Sequence, residues 1–204
     1  GRVVVKPLAR SPSHPLAGLG LAFAASTGTQ GDVLPSFRTS GQQIFFSYDR
    51  AAIGEGVRNR VSPQAFYYYK AAGAFGEYVR SRGTVRKDAL AREITHESWQ
   101  IAGSLVVTGE PSSDHGVKPA SDFNPGTHTW GALQVAARYH VLSIDPAAIA
   151  SGFAAAGSSR EARAFTVGAN WYLNPFVKWT FNVERTVFDG DPNGSRHGEN
   201  AILV

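Results

Sequence analysis

Four basic side chains lie on segments in which polar and apolar residues alternate: Arg60, Lys70, Arg138 and Lys178. Alternation with a period of two is the β-strand signature, and it places each of the four on the polar face of its strand. A guanidinium or ammonium group on the wall of a narrow aqueous pore attracts anions and replaces part of their hydration shell. The spacing therefore predicts anion binding or selectivity, unless carboxylates such as Glu110 or Glu184 neutralise these cations.

A fifth candidate, Lys118, lies in the polar connection PSSDHGVKPASDFNPGTH, residues 111–128. A connection of this length either folds back into the pore or protrudes from it. If it folds back, Lys118 and His115 reach the channel wall. The same connection holds Asp114 and His115 with Ser112 or Ser113, but sequence neighbours rarely reach the geometry of a catalytic triad. We therefore expect no enzyme activity.

The loop DGDPNGSRHGEN, residues 189–200, approaches the pattern of an EF-hand calcium loop. Asp189, Asp191 and Asn193 stand where the first, third and fifth ligands would be. The twelfth position holds Asn200 in place of the bidentate glutamate, and strands rather than helices are predicted on both sides. A turn-rich loop is the better interpretation, so we expect neither a metal site nor a cofactor.

The elements that must position these residues are strands of one kind of sheet. Across residues 164–188, one face carries Trp171, Trp179 and Phe181, and the other carries Gly, Thr and Asn with few charges. Asn174-Pro175 separates two such runs where a hairpin needs a tight turn. An apolar face opposite a polar face of small residues is typical of a membrane β-barrel, with lipid outside and water inside. A large soluble β-barrel gives the same periodicity.

Composition narrows the class further. The chain has 204 residues and no cysteine, which indicates one domain and excludes a disulfide scaffold or a thiolate metal site. No apolar run approaches the roughly 18 residues of a transmembrane helix. The net charge of +4 is modest, and no cluster of Lys and Arg with interleaved aromatics forms a nucleic-acid surface. We expect about ten strands: 1–7, 17–26, 42–50, 60–70, 75–85, 96–109, 130–144, 161–174, 176–188 and 199–204.

Several segments resemble the phosphate-selective porin O/P family, in the order that the family uses. They are GLGLAFAAS, LPSFRTSGQQIFFSY, RVSPQAFYYYKAAGAFGEYV, VVTGE, WGALQVAARYH, VGANWYLNPFVKWTFNVERTVFD and ENAILV. The resemblance implies a trimeric outer-membrane channel of about sixteen strands for phosphate or related anions. It also implies that residues 1–204 are its C-terminal portion. The chain departs from the family pattern at Gln134, where an acidic residue is common, and at Val204, where the pattern continues to a terminal aromatic.

In such barrels the short turns face the periplasm, so Asn174-Pro175 marks the periplasmic end. Trp130, Trp171 and Trp179 then collect near that rim, as amphipathic indole rings do at a membrane interface. The long connection 111–128 falls at the same end, where a short turn is expected. Either it folds inward or the strand count is off by one.

The sequence thus predicts an all-β chain that forms one segment of an antiparallel transmembrane β-barrel in the outer membrane of a Gram-negative bacterium. The predicted function is passive diffusion of small anions such as phosphate. The alternative is a structural or accessory barrel within a larger assembly, without significant transport. The expected partners are small anionic solutes, outer-membrane lipids and further copies of the chain in a homotrimer or a larger membrane assembly, with no nucleic acid.

Overall fold

The computed structural model describes residues 1–11, 13–31, 33–190 and 196–204. Within these ranges the chain forms eleven strands and very little helix. The strands are β1 (Arg2–Val5), β2 (Leu19–Thr29), β3 (Phe37–Arg38), β4 (Ile44–Phe46), β5 (Ile53–Tyr69), β6 (Ala72–Lys87), β7 (Leu90–Val106), β8 (Ala132–Ser143), β9 (Glu161–Tyr172), β10 (Lys178–Asp189) and β11 (Glu199–Leu203). A single turn of 3-10 helix, Pro125–Thr127, and a short helix α1, Pro146–Ala150, lie in connections.

Nine strands form one antiparallel sheet in the order β1-β2-β5-β6-β7-β8-β9-β10-β11. Within the described ranges β1 pairs only with β2 and β11 only with β10, so the sheet is open and these two strands are its edges. The prediction of an all-β antiparallel fold is confirmed. The described part of the chain does not close into a ring by itself.

The hairpin that the sequence predicted is formed by β9 and β10. Tyr172 pairs with Lys178 and Trp171 with Trp179, and the Asn174 side chain accepts hydrogen bonds from the amides of Phe176 and Val177, both at 2.9 Å. Such an Asx turn reverses the chain in few residues because the side chain replaces a backbone acceptor. We call this end of the sheet the lower end and the opposite one the upper end.

The two faces of the sheet differ as the alternation predicted. The outer face is the one that carries Trp179, Phe181 and Val183, all substantially exposed. The inner face carries Gln134 and Glu184, both buried. Pairing without register shifts along β7 to β10 keeps the two sets apart from strand to strand.

Connections from both ends of the sheet cover parts of the inner face. At the upper end, segments 30–52 and 144–160 meet Val85 and Ile94 of the wall, and they bury Phe45, Phe46 and Phe153 almost completely. Burying an aromatic side chain of this size contributes about 1.5–3 kcal/mol. At the lower end, Val117 of segment 107–131 packs on Val106 and Ala132. Part of the predicted connection 111–128 therefore folds inward.

Two sequence predictions are corrected here. Residues 42–50 were expected to form a wall strand, yet they contribute only the short ribbon β3–β4, which packs against the inner face. Phe45 and Phe46 are adjacent and both buried, which a wall strand with one face to water does not allow. In addition, β5 and β7 begin well before the predicted positions 60 and 96.

The described part of the chain holds no helix that is long and apolar enough to cross a membrane.

Candidate functional site on the inner face of the sheet

An ion pair between neighbouring strands lies at the centre of the polar inner face. Arg138 of β8 donates to Glu184 of β10 at 3.2 Å, and Thr166 of the intervening β9 donates to the same carboxylate at 2.6 Å. Glu184 is 1 % exposed, and Arg138 is 39 % exposed. The strand register brings these three residues together because each has the inward position in its strand. The acid is thus built into the wall, and the guanidinium faces the open side.

A polar cavity of about 290 Å³ lies where segment 30–52 approaches this ion pair. Arg38 of β3 lines it from the segment, while Arg138 and His140 line it from the wall. Ser98 and Gln100 of β7 add neutral hydrogen-bonding groups. Two guanidinium groups from different elements around one small polar space form an arrangement that can bind an oxyanion.

A second polar cluster surrounds Glu77 of β6. Its carboxylate accepts hydrogen bonds from Ser62, Gln64 and Gln100, each at 2.7 Å. Arg2 of β1 donates to Gln64 at 2.8 Å and so brings a positive charge close to the acid. The cluster connects β1, β5, β6 and β7 through side chains, across the intervening β2, and it leaves the carboxylate well satisfied.

The structure places the predicted basic residues in different surroundings. Arg60 is exposed on the inner face beside Ser62, as predicted, and Lys178 is inward at the lower end, with its ammonium 5.7 Å from the centre of the Tyr172 ring. Arg138 is also inward but paired with Glu184, so the alternative of a neighbouring carboxylate holds for this residue. These three lie on three different strands and do not form a single cluster.

Lys70 does not share the face of Ser62 and Gln64. The strand ends at Tyr69, and Lys70 lies in the turn to β6 with a positive φ of 50°. Its ammonium lies 5.4 Å from the centre of the Tyr69 ring at the lower rim. Counting every second residue from Ser62 and Gln64 predicts an inward Lys70, but this count does not show where the strand ends.

The connection 111–128 places its polar residues at the lower rim. Lys118 is exposed between the buried Val117 and Pro119. His115 is exposed as well. Asp114 accepts a hydrogen bond from Lys6 at 2.8 Å, and this contact holds the pKa of the Asp114 carboxyl below its usual range.

Two residues of the possible catalytic triad in this connection are engaged elsewhere, and the hydroxyl of Ser112 is buried. Ser113 donates to the carbonyl of Gly116 at 2.8 Å, and Asp114 is held by Lys6. The calcium-loop pattern 189–200 includes residues 191–195, which lie outside the described residues. In the ranges that the structure describes, no three His, Asp or Glu side chains come together as metal ligands.

His96 is a buried residue that the sequence analysis did not single out. It lies on the inner face of β7, where one ring nitrogen is hydrogen bonded to the Tyr48 hydroxyl and the other accepts the amide of Asp145 at 3.1 Å. Burial raises the pKa of the Tyr48 hydroxyl. One side chain of the wall therefore holds both inward segments, 30–52 and 144–160. A lone histidine without a motif offers no sequence signal for such a role.

The charge balance differs between the two faces of the strands. On the outer face the strands carry as many basic as acidic side chains. The basic ones are Arg80, Arg82, Arg86, Arg163 and Arg185, and the acidic ones are Glu55, Glu93, Glu97, Glu161 and Asp189. On the inner face the basic side chains outnumber the acidic ones: Arg2, Arg58, Arg60, Lys87, Arg92, Arg138 and Lys178 against Glu77, Glu184 and Glu199. From the inward segment 30–52, Arg38 adds to this excess, while Asp49 lies 3.3 Å from the ammonium of Lys87 and offsets its charge. The inner face is therefore the positive one.

An antiparallel sheet with an apolar outer face and a polar, positive inner face is the arrangement expected of part of a β-barrel wall. The family comparison agrees with this class. The chain belongs to the phosphate-selective porin O and P family, whose model matches residues 17–186. No curated protein matches the chain.

Proposed function

We propose that the protein is an outer-membrane channel of a Gram-negative bacterium, through which small anions such as phosphate diffuse passively. The single observation that carries the anion preference is the excess of lysine and arginine on the inner face of the strands. Fixed positive charge along a narrow aqueous path raises the local concentration of anions and lowers that of cations. Membership of a porin family supports the channel itself.

The outer face supports a membrane location. On β8 the outward residues from Leu133 to Val141 are free of charge. This run covers about 26 Å along the strand, or about 20 Å of height at a tilt of about 40°. Barrels in outer membranes carry an apolar band about 25 Å tall. The exposed apolar side chains on this face are therefore proposed to meet lipid.

Aromatic side chains mark both limits of this band. At the lower limit Trp171 donates to the carbonyl of Trp130 at 2.7 Å and packs edge-on against Trp179. At the upper limit Trp99 of β7 packs on Tyr139 of β8, with ring centres 5.5 Å apart. Two girdles are expected because tyrosine and tryptophan prefer both interfaces of a bilayer.

The second candidate is a structural or accessory barrel that conducts little. The observation in its favour is that segments 30–52, 107–131 and 144–160 cover part of the inner face. The homotrimer that the sequence resemblance implies is likewise a proposal. Chemical cross-linking in native membranes followed by denaturing electrophoresis tests it, with a three-chain product expected.

Conductance measurements separate the two candidates. The complete protein, reconstituted in planar bilayers, should give discrete channels whose reversal potential in phosphate and chloride gradients shows anion preference. Protein that inserts but gives no channels supports the accessory barrel. Channels that prefer cations overturn the anion proposal while leaving the membrane barrel in place.

A further inference from the structure

The outer face changes character abruptly at one row of residues. On β6 the outward side chains are Ala72, Ala74, Gly76 and Tyr78, and on β7 they are Leu105, Gly103, Ile101 and Trp99. Tyr78 and Trp99 are cross-strand partners, and the next outward pair towards the upper end is Arg80 with Glu97. Since two residues of a strand cover about 6.6 Å, full charges follow the last aromatic row without an intervening neutral zone.

Charged pairs of both signs continue above this row on β5, β6 and β7. Arg80 lies 3.8 Å from Glu97, Arg82 contacts Glu93, and Arg86 binds both oxygens of Glu55 at 2.6 and 2.9 Å. We call these six side chains the charged band. Their exposed fractions lie between 42 % and 53 %. Ion pairs this exposed contribute about 0–1 kcal/mol to stability, so the folding of the sheet does not explain why they collect at this depth.

The depth indicates what the charged band meets. Tyrosine and tryptophan rings settle at the level of lipid headgroups, so the row directly above Tyr78 and Trp99 lies in the headgroup layer itself. A leaflet of lipids that carry phosphate monoesters holds two kinds of charge there: phosphate oxygens and the divalent cations that bridge them. A band of alternating arginine and glutamate offers a partner to each.

Two arginines of the charged band keep N–H donors that can bind a lipid phosphate. The contact between Arg80 and Glu97 is longer than a hydrogen bond, so the guanidinium of Arg80 keeps its donors for another acceptor. Arg86 uses only two of its five N–H groups on Glu55. A planar guanidinium binds a phosphate through two parallel hydrogen bonds, and the carboxylates add oxygen ligands to a divalent cation already held by lipid phosphates.

We propose that the charged band is a binding surface for a lipid headgroup with phosphate monoesters and their bridging divalent cations. The inference rests on the proposed function, because it takes the apolar outer face to be the lipid-facing one. It concerns the outside of the barrel, and the anions that bind there are membrane lipids rather than solutes in transit.

The experiment uses the complete protein in phosphatidylcholine vesicles, prepared with and without lipid A and Mg²⁺. The protein is then extracted into mild detergent, and native mass spectrometry measures the lipid that it retains. Wild type retains lipid A, and removal of the divalent cation with a chelator reduces the retention. The double variant Arg80→Gln with Arg82→Gln lowers the affinity for lipid A at least about tenfold, since hydrogen bonds to charged groups are lost. Inorganic phosphate does not displace the lipid.

Arg92→Gln is the matched control. Arg92 lies at the level of the charged band on β7 but faces inward, where it donates to Ser151 at 3.0 Å, so its replacement removes a positive charge from the other face. It keeps wild-type retention. The proposal is overturned if the control and the double variant lose lipid A retention equally, or if neither loses it. It is also overturned if inorganic phosphate displaces the lipid. Failure to insert into pure phosphatidylcholine vesicles defeats the membrane barrel as well, whereas insertion with channels but without lipid A retention defeats only the charged band.

Discussion

Arg138 and Glu184 form a pair in which the acid is inside the wall and the base faces the open side of the inner face. The carboxylate is 1 % exposed and accepts hydrogen bonds from Arg138 at 3.2 Å and from Thr166 at 2.6 Å. The guanidinium is 39 % exposed. In the proposed channel, the field that an ion meets at this point is therefore the sum of two opposite charges at slightly different depths. Changing either partner alone should change ion selectivity, in opposite directions.

The first prediction follows from this arrangement. Glu184→Gln keeps a hydrogen-bond acceptor and the shape of the side chain but removes the negative charge. The positive charge of Arg138 is then no longer offset, and the reversal potential shifts towards anions. Arg138→Gln leaves the buried carboxylate unpaired, and the reversal potential shifts towards cations. Both shifts grow at low ionic strength because the screening length rises from about 10 Å at 0.1 M salt to about 30 Å at 0.01 M. Planar bilayers under a salt gradient measure them.

Arg185→Gln is the matched control for this pair of variants. Arg185 lies next to Glu184 in sequence but faces outward, where it contacts Asn200 at 3.1 Å. Its removal should leave the reversal potential unchanged. Shifts of the same sign for Glu184→Gln and Arg138→Gln would show that the ion path does not pass this pair. Charge reversal at position 138 is a poorer test, because it would place a second carboxylate against the buried Glu184.

The second prediction concerns the two segments that His96 holds. His96→Ala removes the contacts with Tyr48 and the amide of Asp145, and each buried group left without a partner costs about 1–3 kcal/mol. We expect looser inward segments, seen as larger and noisier single-channel currents and faster proteolysis within residues 30–52. Tyr48→Phe removes one of the two contacts and should give a smaller effect in the same direction. Currents and cleavage rates equal to wild type in both variants would contradict it.

The third prediction is a pH dependence at the lower rim. The hydrogen bond from Lys6 lowers the pKa of Asp114, so the contact stabilises the fold above the unfolded pKa of about 3.9 and the contribution is lost as the pH falls through the lowered value. Both side chains are about one-third exposed, which limits the effect to about 0.2–1 kcal/mol. The difference in unfolding midpoint between wild type and Lys6→Gln should be present at neutral pH and decrease as the pH falls through the lowered pKa of Asp114. A difference that does not change with pH would exclude this origin.

The fourth prediction tests the lipid-facing surface. Val167 is 46 % exposed in the middle of the apolar run on β9. Val167→Arg should lower the free energy of unfolding in lipid vesicles by about 2–4 kcal/mol, the cost of a cation near the bilayer midplane. Thr95→Arg places the same side chain outward among the charged pairs of β7 and should cost about 0–1 kcal/mol. Equal costs at the two positions would place both in the same medium.

The sequence predicted the fold best where the two faces contrast most. In β9 and β10 every outward residue from Phe165 to Trp171 and from Trp179 to Val183 is apolar or small, so the period of two is visible. It fails at the start of β7, where the outward residues are Glu93, Thr95 and Glu97. Both faces there contain polar residues, so the alternation that marks a strand is missing although the backbone pairing continues.

The candidate site was predicted in part for a related reason. Alternation identified the inward positions of Arg60, Arg138 and Lys178, because facing is a local property of a strand. It could not reveal that Arg38 approaches Arg138, since the path of segment 30–52 across the inner face depends on long-range packing of Phe45 and Phe46. The contacts of His96 with Tyr48 and with the amide of Asp145 could not be predicted for the same reason.

In the proposed membrane barrel, the reversal of polarity along β7 also determines how deep the wall lies in a bilayer. Its lower part, from Leu105 to Trp99, is apolar towards the outside, while further up the apolar side chain is Ile94, which faces inward. Pushing the strand two residues further into the membrane would carry Glu97 into hydrocarbon, and pulling it two residues out would bring Trp99 into water. A strand of constant polarity would tolerate such sliding. This one has a single favourable height, so its own sequence positions the channel mouth relative to the membrane surface.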